Sequence, residues 1–415
     1  MRGIASRSTL TLLPIAGEAH LRIFRWLLRG LAAFVVLIAL ALAAMYVADP
    51  IITTRLVGLP FGGSQGPEQR VAGGKPIAIP SVRAEARTIS EQAVGQAIAY
   101  GEKMKSHALL IYHNGALQLE HYYPGYDRDT RTSTQSMHKS VLALLVGIAI
   151  RDGFIASVDD PAARYVPEWA NDGRSKITIR QLLQQQSGIA YDTIGWNPTA
   201  GFFQLVLGGD IGPVVLAEPL AEEPGRTFDY NSINPQMLGI ILQRATGKRY
   251  SQYLSEALWS RIGASDAYVV LDSEEKGLAH FFCCLNATAL SWLRIGLLHL
   301  NGGVVNGEQI VPANWIREVE RPSPKNANYG YLTWLGNEYV EHRYYNHKTS
   351  TNVYSSEPFA VKDMVYFDGF GGQRVYIVPS MGLVILRTGS LRTDWDDAWL
   401  PNTIIRDLRS RTAAK

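Results

Sequence analysis

The sequence predicts an α/β protein of the α+β kind: an antiparallel sheet flanked by helices, the helical middle packed on it or forming a second lobe, preceded by an N-terminal transmembrane helix. Three observations carry this expectation. Strand-like runs lie at both ends of the region after residue 86, with helical periodicity between them. Residues 107–113 (HALLIYH) turn at Asn114-Gly115 and return over 116–122, and Asn-Gly between apolar runs is a strong hairpin signal. Residues 31–48 (LAAFVVLIALALAAMYVA) form an uncharged run of the length that marks a spanning helix.

Size and composition allow one large domain or two with ample core. The chain has 415 residues, 47% hydrophobic and 19% charged, which excludes a largely disordered protein. The formal net charge is only +3, so no global basic field argues for nucleic acid. Arg2, Arg7, Arg22, Arg25 and Arg29 supply much of that excess. The two cysteines, Cys283 and Cys284, are adjacent. A disulfide framework is thereby excluded, and because vicinal disulfides are rare, two buried free thiols are expected.

In chain order, residues 1–30 read as a basic cytoplasmic segment and 31–48 as a signal anchor ended by Asp49-Pro50. The upstream arginines put the N-terminus in the cytoplasm and the rest of the chain across the membrane. The competing reading is a cleaved signal peptide followed by secretion, since Ala39-Leu40-Ala41 and Ala41-Leu42-Ala43 offer small-residue cleavage patterns. A leading region of about thirty residues favours a retained anchor. A buried core helix fits less well, because the run adjoins a Gly/Pro-rich stretch. Residues 49–85 read as a linker or irregular arm, and 86–415 as the main domain.

Helical periodicity appears over 84–105. After the hairpin, the apolar run 140–150 makes a helix that stops at Asp152-Gly153-Phe154. A short helix over 177–186 ends at Ser187-Gly188, another over 235–245 closes at Thr246-Gly247-Lys248, and a third over 288–300 closes at Asn301-Gly302-Gly303. Residues 375–378 and 383–386 read as a strand pair, and 395–411 as a terminal helix. Strands from both ends can pair into one sheet, with the helical middle packed on it or forming a second lobe.

The helix over 140–150 opens with Ser136-Met137-His138-Lys139. Residues at i and i+3 share a helix face. A serine hydroxyl needs a neighbour to take its proton, and a lysine does so only when desolvation lowers its pKa. A Ser-x-x-Lys in the first turn of a buried helix supplies both conditions. The helix N-terminus also offers free backbone N–H groups to a developing oxyanion. Spacing alone is weak evidence: Ser273-Glu274-Glu275-Lys276 repeats it in a polar, acidic segment and reads as solvated surface.

Acyl-transfer chemistry also needs a proton shuttle and a second oxyanion donor. Tyr230, in Phe228-Asp229-Tyr230-Asn231-Ser232 just before a helix, is the candidate for the first; its plain alternative is a core tyrosine with a satisfied hydroxyl. Asp368-Gly369-Phe370-Gly371-Gly372-Gln373, feeding the strand at 375–378, is the candidate for the second, because glycines let backbone N–H groups approach a ligand; its plain alternative is a turn into a strand. Two aromatic-rich segments, 191–203 and 329–354, either shape a pocket or pack on the domain; Tyr191 or Trp196 is a candidate lid over the nucleophile. The nine histidines show no metal-ligand spacing and no nucleotide fingerprint is present, so neither metal nor cofactor is expected. His138 falls on a different helix face from Ser136, which points to packing.

Taken together and in order, these segments resemble the serine β-lactamase/penicillin-binding-protein superfamily, most closely the class C-like branch that includes 6-aminohexanoate-dimer hydrolase and related esterases. Further stretches carry the resemblance: Ile179-Arg180-Gln181-Leu182-Leu183-Gln184-Gln185-Gln186-Ser187-Gly188-Ile189, then Gln236-Met237-Leu238-Gly239, then Leu285-Asn286-Ala287-Thr288-Ala289 with Gly296-Leu297-Leu298. The resemblance implies a β-lactamase/transpeptidase-like fold with the active site between sheet and all-helical lobe. It makes Ser136 the nucleophile, Lys139 its base and Tyr230 the proton shuttle, with the backbone N–H groups of Ser136 and Phe370 as oxyanion hole. It also suggests Asn286 as a cleft residue, against the simpler view of a polar helix-entry residue.

Two departures bear on substrate. The second motif of this family is often Tyr-x-Asn, whereas position 232 is Ser232, with Asn231 and Asn234 nearby. The third motif is often Lys-Thr-Gly or His-x-Gly, whereas Phe367-Asp368-Gly369 has no basic residue. Lys348-Thr349-Ser350 has no Gly-rich strand entry directly after it and reads as a loop. A basic group there normally binds a substrate carboxylate. With Asp368 in its place beside Gly369, the site is expected to bind neutral amides or esters, or a cationic group, in preference to β-lactams and peptidoglycan stems. The expected protein is a single-pass enzyme of the bacterial inner membrane, its catalytic domain in the periplasm, hydrolysing amides or esters through an acyl-enzyme. A penicillin-binding carboxypeptidase or β-lactamase proper is one alternative; a catalytically inactive envelope binding protein is another.

Overall fold

The computed structural model describes residues 17–59, 65–191, 201–274, 277–347 and 349–413. The chain forms two units, residues 1–63 and 64–415.

In the first unit, helix α1 (Gly17–Ala48) carries an apolar stretch, Leu21–Ala48, of 28 residues. At 1.5 Å per residue this is roughly 42 Å of helix, long enough to cross a bilayer core. The same length and composition also suit a signal sequence. The apolar stretch begins before residue 31 because Leu21, Ile23, Phe24, Trp26, Leu27 and Leu28 continue it between the arginines, all of them exposed. Asp49-Pro50 ends α1 and starts a short helix, Pro50–Gly58: the Asp49 carboxylate accepts from the Ile52 N–H at 2.9 Å, and Pro50 takes the first helical position.

The second unit runs β1 (Glu68–Val71), α2 (Glu91–Lys103), β2 (Ser106–His113), β3 (Ala116–Tyr122), β4 (Arg131–Ser133), α3 (His138–Arg151), α4 (Ile179–Leu183), α5 (Ile233–Thr246), β5 (Ala267–Val270), β6 (Leu285–Thr288), α6 (Ala289–Leu300), β7 (Trp334–Leu335), β8 (Val365–Gly369), β9 (Gln373–Val378), β10 (Leu383–Gly389) and α7 (Trp399–Ala413), with shorter elements between. The main sheet has the order β3-β2-β10-β9-β8-β7 and is antiparallel throughout. Strands from both ends of the domain therefore pair, β2 with β10. The β2–β3 turn places Asn114 at φ 45° and Gly115 at φ 95°, the two positive φ values that a two-residue hairpin turn requires.

Alternation along the strands explains their unbroken apolar runs. Val384 and Leu386 of β10 enter one core with Leu110, Phe367 and Val375, while Leu383 and Ile385 enter another with Leu109, Ile111 and Tyr376. A sheet buried on both faces reads as continuous hydrophobic sequence. Helix α6 covers the first face so closely that a side-chain carbon on Gly296 would fall 2.7 Å from Val375 and 2.9 Å from Val384. Helices α2 and α7 cover the second, through Ala93, Val94, Ala97, Ile404 and Ile405.

A smaller sheet, β1-β5-β6-β4, belongs to the same unit. Within the stretch read from sequence as an irregular arm, Glu68–Val71 forms β1 and pairs antiparallel with β5. Strand β4 pairs with β6 and leads directly into the turn that carries Ser136. Helices α3 and α4 each pack on α5 to form a helical layer, with residues 138–149 of α3 all buried.

Candidate active site

Ser136 sits in a short 3-10 turn, Gln135–Met137, one residue ahead of α3. Lys139 lies in the first turn of α3 and is 2% exposed. Its Nζ donates to Ser136 Oγ at 2.8 Å and to the Phe282 carbonyl at 2.6 Å. Burial pushes the Lys139 ammonium down to about 7, against the Asp368 carboxylate, which favours the charged form. Near neutral pH a large share of Lys139 is then a free amine, able to take the proton of a hydroxyl it touches.

The Ser136 side chain stands close enough to the Tyr230 phenol to oppose the rise that burial gives it, and the Lys139 Nζ lies 5.0 Å from the centre of the Tyr230 ring. Burial pushes the phenol up, with the Asp368 charge adding to it, so Tyr230 keeps its proton and can donate it. Its loop is braced by the 185 turn. Gln185, at φ 59°, accepts from the Asp229 N–H at its carbonyl (2.9 Å) and from Asn234 Nδ2 at its side chain (2.6 Å). The amide of Asn346 donates to the Tyr230 carbonyl at 3.0 Å. Around the ring stand Tyr345, Trp334 and Tyr329, with centroids at 5.2, 5.7 and 6.1 Å. A hollow of about 420 Å³ bounded by Phe228, Tyr344, Tyr345, Asn346 and His347 adjoins this loop.

The end of β8 approaches the Ser136 turn at backbone distance. A side-chain carbon on Gly369 would fall 2.1 Å from the Thr134 carbonyl oxygen, so only glycine fits. Phe370 follows in the β8–β9 turn with its ring 40% exposed. Gly371 and Gly372 continue that turn at φ 77° and 85°.

Asp368 is 3% exposed. It pairs with Arg374, with Arg343 at 2.9 Å, and with the Tyr345 hydroxyl at 3.3 Å. Asp397 completes the cluster, 2.7 Å from Arg374 Nε and 3.5 Å from Arg343. Burial works to raise the Asp368 carboxyl, yet Arg374 and Arg343 hold it below the usual carboxylate range. Its charge is balanced inside the protein, so a cationic substrate group would find no open carboxylate there. The sequence showed the acid but could not show the two arginines that neutralise it.

The remaining sequence-based candidates lie as follows. Asn286, in β6, turns its amide nitrogen to Glu68 of β1. Tyr191 is 5% exposed and packs in the larger core. Trp196, like Lys348, lies outside the described residues. His138 is buried and pushed down to about 4 by that burial, hence neutral. Its Nδ1–H donates to the Cys283 carbonyl at 2.7 Å, which leaves Nε2 to accept from the Tyr250 hydroxyl at 2.7 Å.

Cys283 and Cys284 correct the expectation of two free thiols: they are joined as a vicinal disulfide, with Cα atoms 3.7 Å apart. Successive side chains of an extended chain point apart, but Cys284 at φ 69° breaks that alternation. His280 lies with them, the ligand-type atoms within 4.8 Å of one another. With their sulfurs bonded to each other, the cysteines are not thiolate donors to a metal. The residues that reasoning from sequence missed, Phe282 above all, act through backbone carbonyls and leave no side-chain signature; Gln185 was visible only as part of a family-like stretch.

A sequence profile of the family described as Beta-lactamase matches residues 92–388. The chain is 29% identical over 229 residues to 6-aminohexanoate-dimer hydrolase of Paenarthrobacter ureafaciens, a match spanning 52% of this chain and 58% of that relative's length. Among solved structures, a 6-aminohexanoate-dimer hydrolase candidate from Bacillus anthracis superposes with a TM-score of 0.65 at 22% identity, covering 84% of this chain and 90% of the other. A family VIII carboxylesterase superposes with a TM-score of 0.57 at 19% identity, covering 76% and 97%. At these identities the structural likeness shows the fold.

Proposed function

Since this chain belongs to the beta-lactamase family, we propose that it is a serine hydrolase that cleaves neutral amide or ester bonds through an acyl-enzyme. The observation that carries this reading is the Lys139 Nζ at 2.8 Å from Ser136 Oγ, on a lysine whose burial keeps it partly neutral at pH 7. Lys139 takes the Ser136 proton as the hydroxyl attacks the carbonyl carbon. The backbone N–H groups of Ser136 and Phe370 receive the oxyanion. Tyr230 donates a proton to the leaving nitrogen or oxygen and is reprotonated through Lys139; a water then releases the acyl group.

The preference for uncharged substrates rests on the balanced Arg343–Asp368–Arg374–Asp397 cluster. It offers a substrate neither a free cation nor a free anion where a carboxylate-binding group would stand. The aromatic surround of Tyr230 favours an apolar or aromatic group next to the scissile bond. Helix α1 as a retained anchor, with the catalytic unit in the periplasm of a bacterial inner membrane, belongs to the same proposal; Arg22, Arg25 and Arg29 at the N-terminal end of the apolar stretch support it. Intact-mass measurement after exposure to a panel of esters, amides and β-lactams tests the reading. An acyl adduct on Ser136 from esters or amides is expected; absence of any adduct, with undiminished turnover by Ser136→Ala, would overturn it.

A further inference from the structure

Two consecutive carbonyls before β6 hold the first turn of α3. The Phe282 oxygen accepts from Lys139 Nζ at 2.6 Å, and the Cys283 oxygen accepts from His138 Nδ1 at 2.7 Å. The second belongs to the disulfide-bonded pair, and the first is one residue before it. A bond between neighbouring cysteines closes a small ring that contains the peptide unit joining them, so that unit cannot rotate freely. The segment is buried as well: Phe282 is 4% exposed, Cys283 6% and Cys284 2%. On its other side the His280 ring stacks on Phe282 with centroids 5.3 Å apart. The ring holds the Cys283 carbonyl directly; the Phe282 carbonyl is the next one outside it, joined through the Cys283 nitrogen and α-carbon, so the place of the lysine amine is tied at one remove to a covalent bond that a reductant can open.

We propose that the Cys283–Cys284 disulfide is a positioning element for Lys139, and that its reduction by a dithiol weakens hydrolysis by freeing the carbonyl that orients the amine. This rests on the Ser136–Lys139 reading above. The reduction balances simply. The dithiol passes two electrons and two protons to the cysteine sulfurs, the S–S bond becomes two thiols, and the reductant closes to its own disulfide. Neither cysteine touches substrate; both act through Phe282. Among the described residues, the titratable groups that face Lys139 are Asp368 from β8, which favours its charged form, Tyr230 from the loop before α5, and His138 beside it. None of the three changes charge on reduction, and the two new thiols, buried as they are, stay protonated across the acid limb, so a displaced limb reports the moved carbonyl.

The experiment compares oxidised and dithiothreitol-reduced protein, with thiols counted by alkylation and intact mass, since the chain has only two cysteines. The reduction is run in mild urea and diluted until two thiols are counted. The pH profile of kcat/KM on a p-nitrophenyl ester is then recorded for each form. Reduction is expected to lower kcat/KM by roughly ten- to a hundredfold, the scale of a small misplacement at a reacting group, and to displace the acid limb; reoxidation restores both. A Cys283→Ser/Cys284→Ser variant should match the reduced form and ignore the dithiol. Superimposable profiles for the two forms overturn the proposal. So do two alkylatable thiols before reduction, or a loss of activity with no displacement of the limb. A fluorophosphonate probe on the oxidised protein separates the two readings. Without labelling at Ser136 the hydrolase reading falls; with labelling and no redox effect, only the disulfide's role falls.

Discussion

The carbonyl oxygen of Thr134 occupies the space that a side chain on Gly369 would need, 2.1 Å from where its first carbon would stand. This contact lets the end of β8 reach the turn bearing Ser136, and the proposed oxyanion role of the Phe370 N–H depends on that approach. Gly369→Ala is expected to push the strand end away and lower kcat by roughly 10²–10³-fold, as loss of one oxyanion donor does. Measured kcat and KM on a p-nitrophenyl ester check this. An unchanged kcat in a folded variant would remove Phe370 from the oxyanion site.

Ser136 and Lys139 act as a unit through a 2.8 Å hydrogen bond. Ser136→Ala and Lys139→Ala are each expected to lower kcat by roughly 10³-fold or more, and the double variant should be no worse than either alone. Additive losses in the double variant would mean that the lysine does not serve the serine.

The pH dependence follows from the buried amine. Lys139 is pushed down to about 7, and only its neutral form accepts a proton, so kcat/KM should fall as pH drops through about 7 and level off above it. A profile flat from pH 5 to 9 in an active enzyme would contradict the assignment of base.

Tyr230 is held protonated by burial. Tyr230→Phe keeps the ring among Tyr329, Trp334 and Tyr345 but removes the proton, and should lower kcat by roughly 10²–10⁴-fold with KM little changed. Loss confined to KM would make Tyr230 a binding residue only.

Asp368→Asn leaves the buried guanidiniums of Arg343 and Arg374 short of a counter-charge. The expected cost is about 3–5 kcal/mol of stability, read by denaturant unfolding. Because Asp368 favours charged Lys139, its removal should also move the acid limb of the profile to lower pH. A limb that moves up would show that the charge on Asp368 does not reach the lysine.

The sequence alone determined what depends on local pattern. Asn114-Gly115 demanded positive φ at two positions and so set the hairpin. The apolar runs 107–113 and 383–386 marked β2 and β10 as strands, and the fold then showed both faces of their sheet buried. Ser136 and Lys139, one turn apart before a buried helix, were visible because their relationship spans three residues. The tertiary structure decided everything that depends on residues distant in the chain. Asp368 read as an acid that could face a cationic substrate group until Arg343 and Arg374 closed on it. Tyr191 could be read as lid or as packing, and only the fold shows it buried in the larger core. Lys139 owes its orientation to the Phe282 carbonyl, 143 residues away in the chain. A backbone carbonyl is the same group in every residue, so no letter of the sequence marks the one that matters; only the packing that buries the amine against it does.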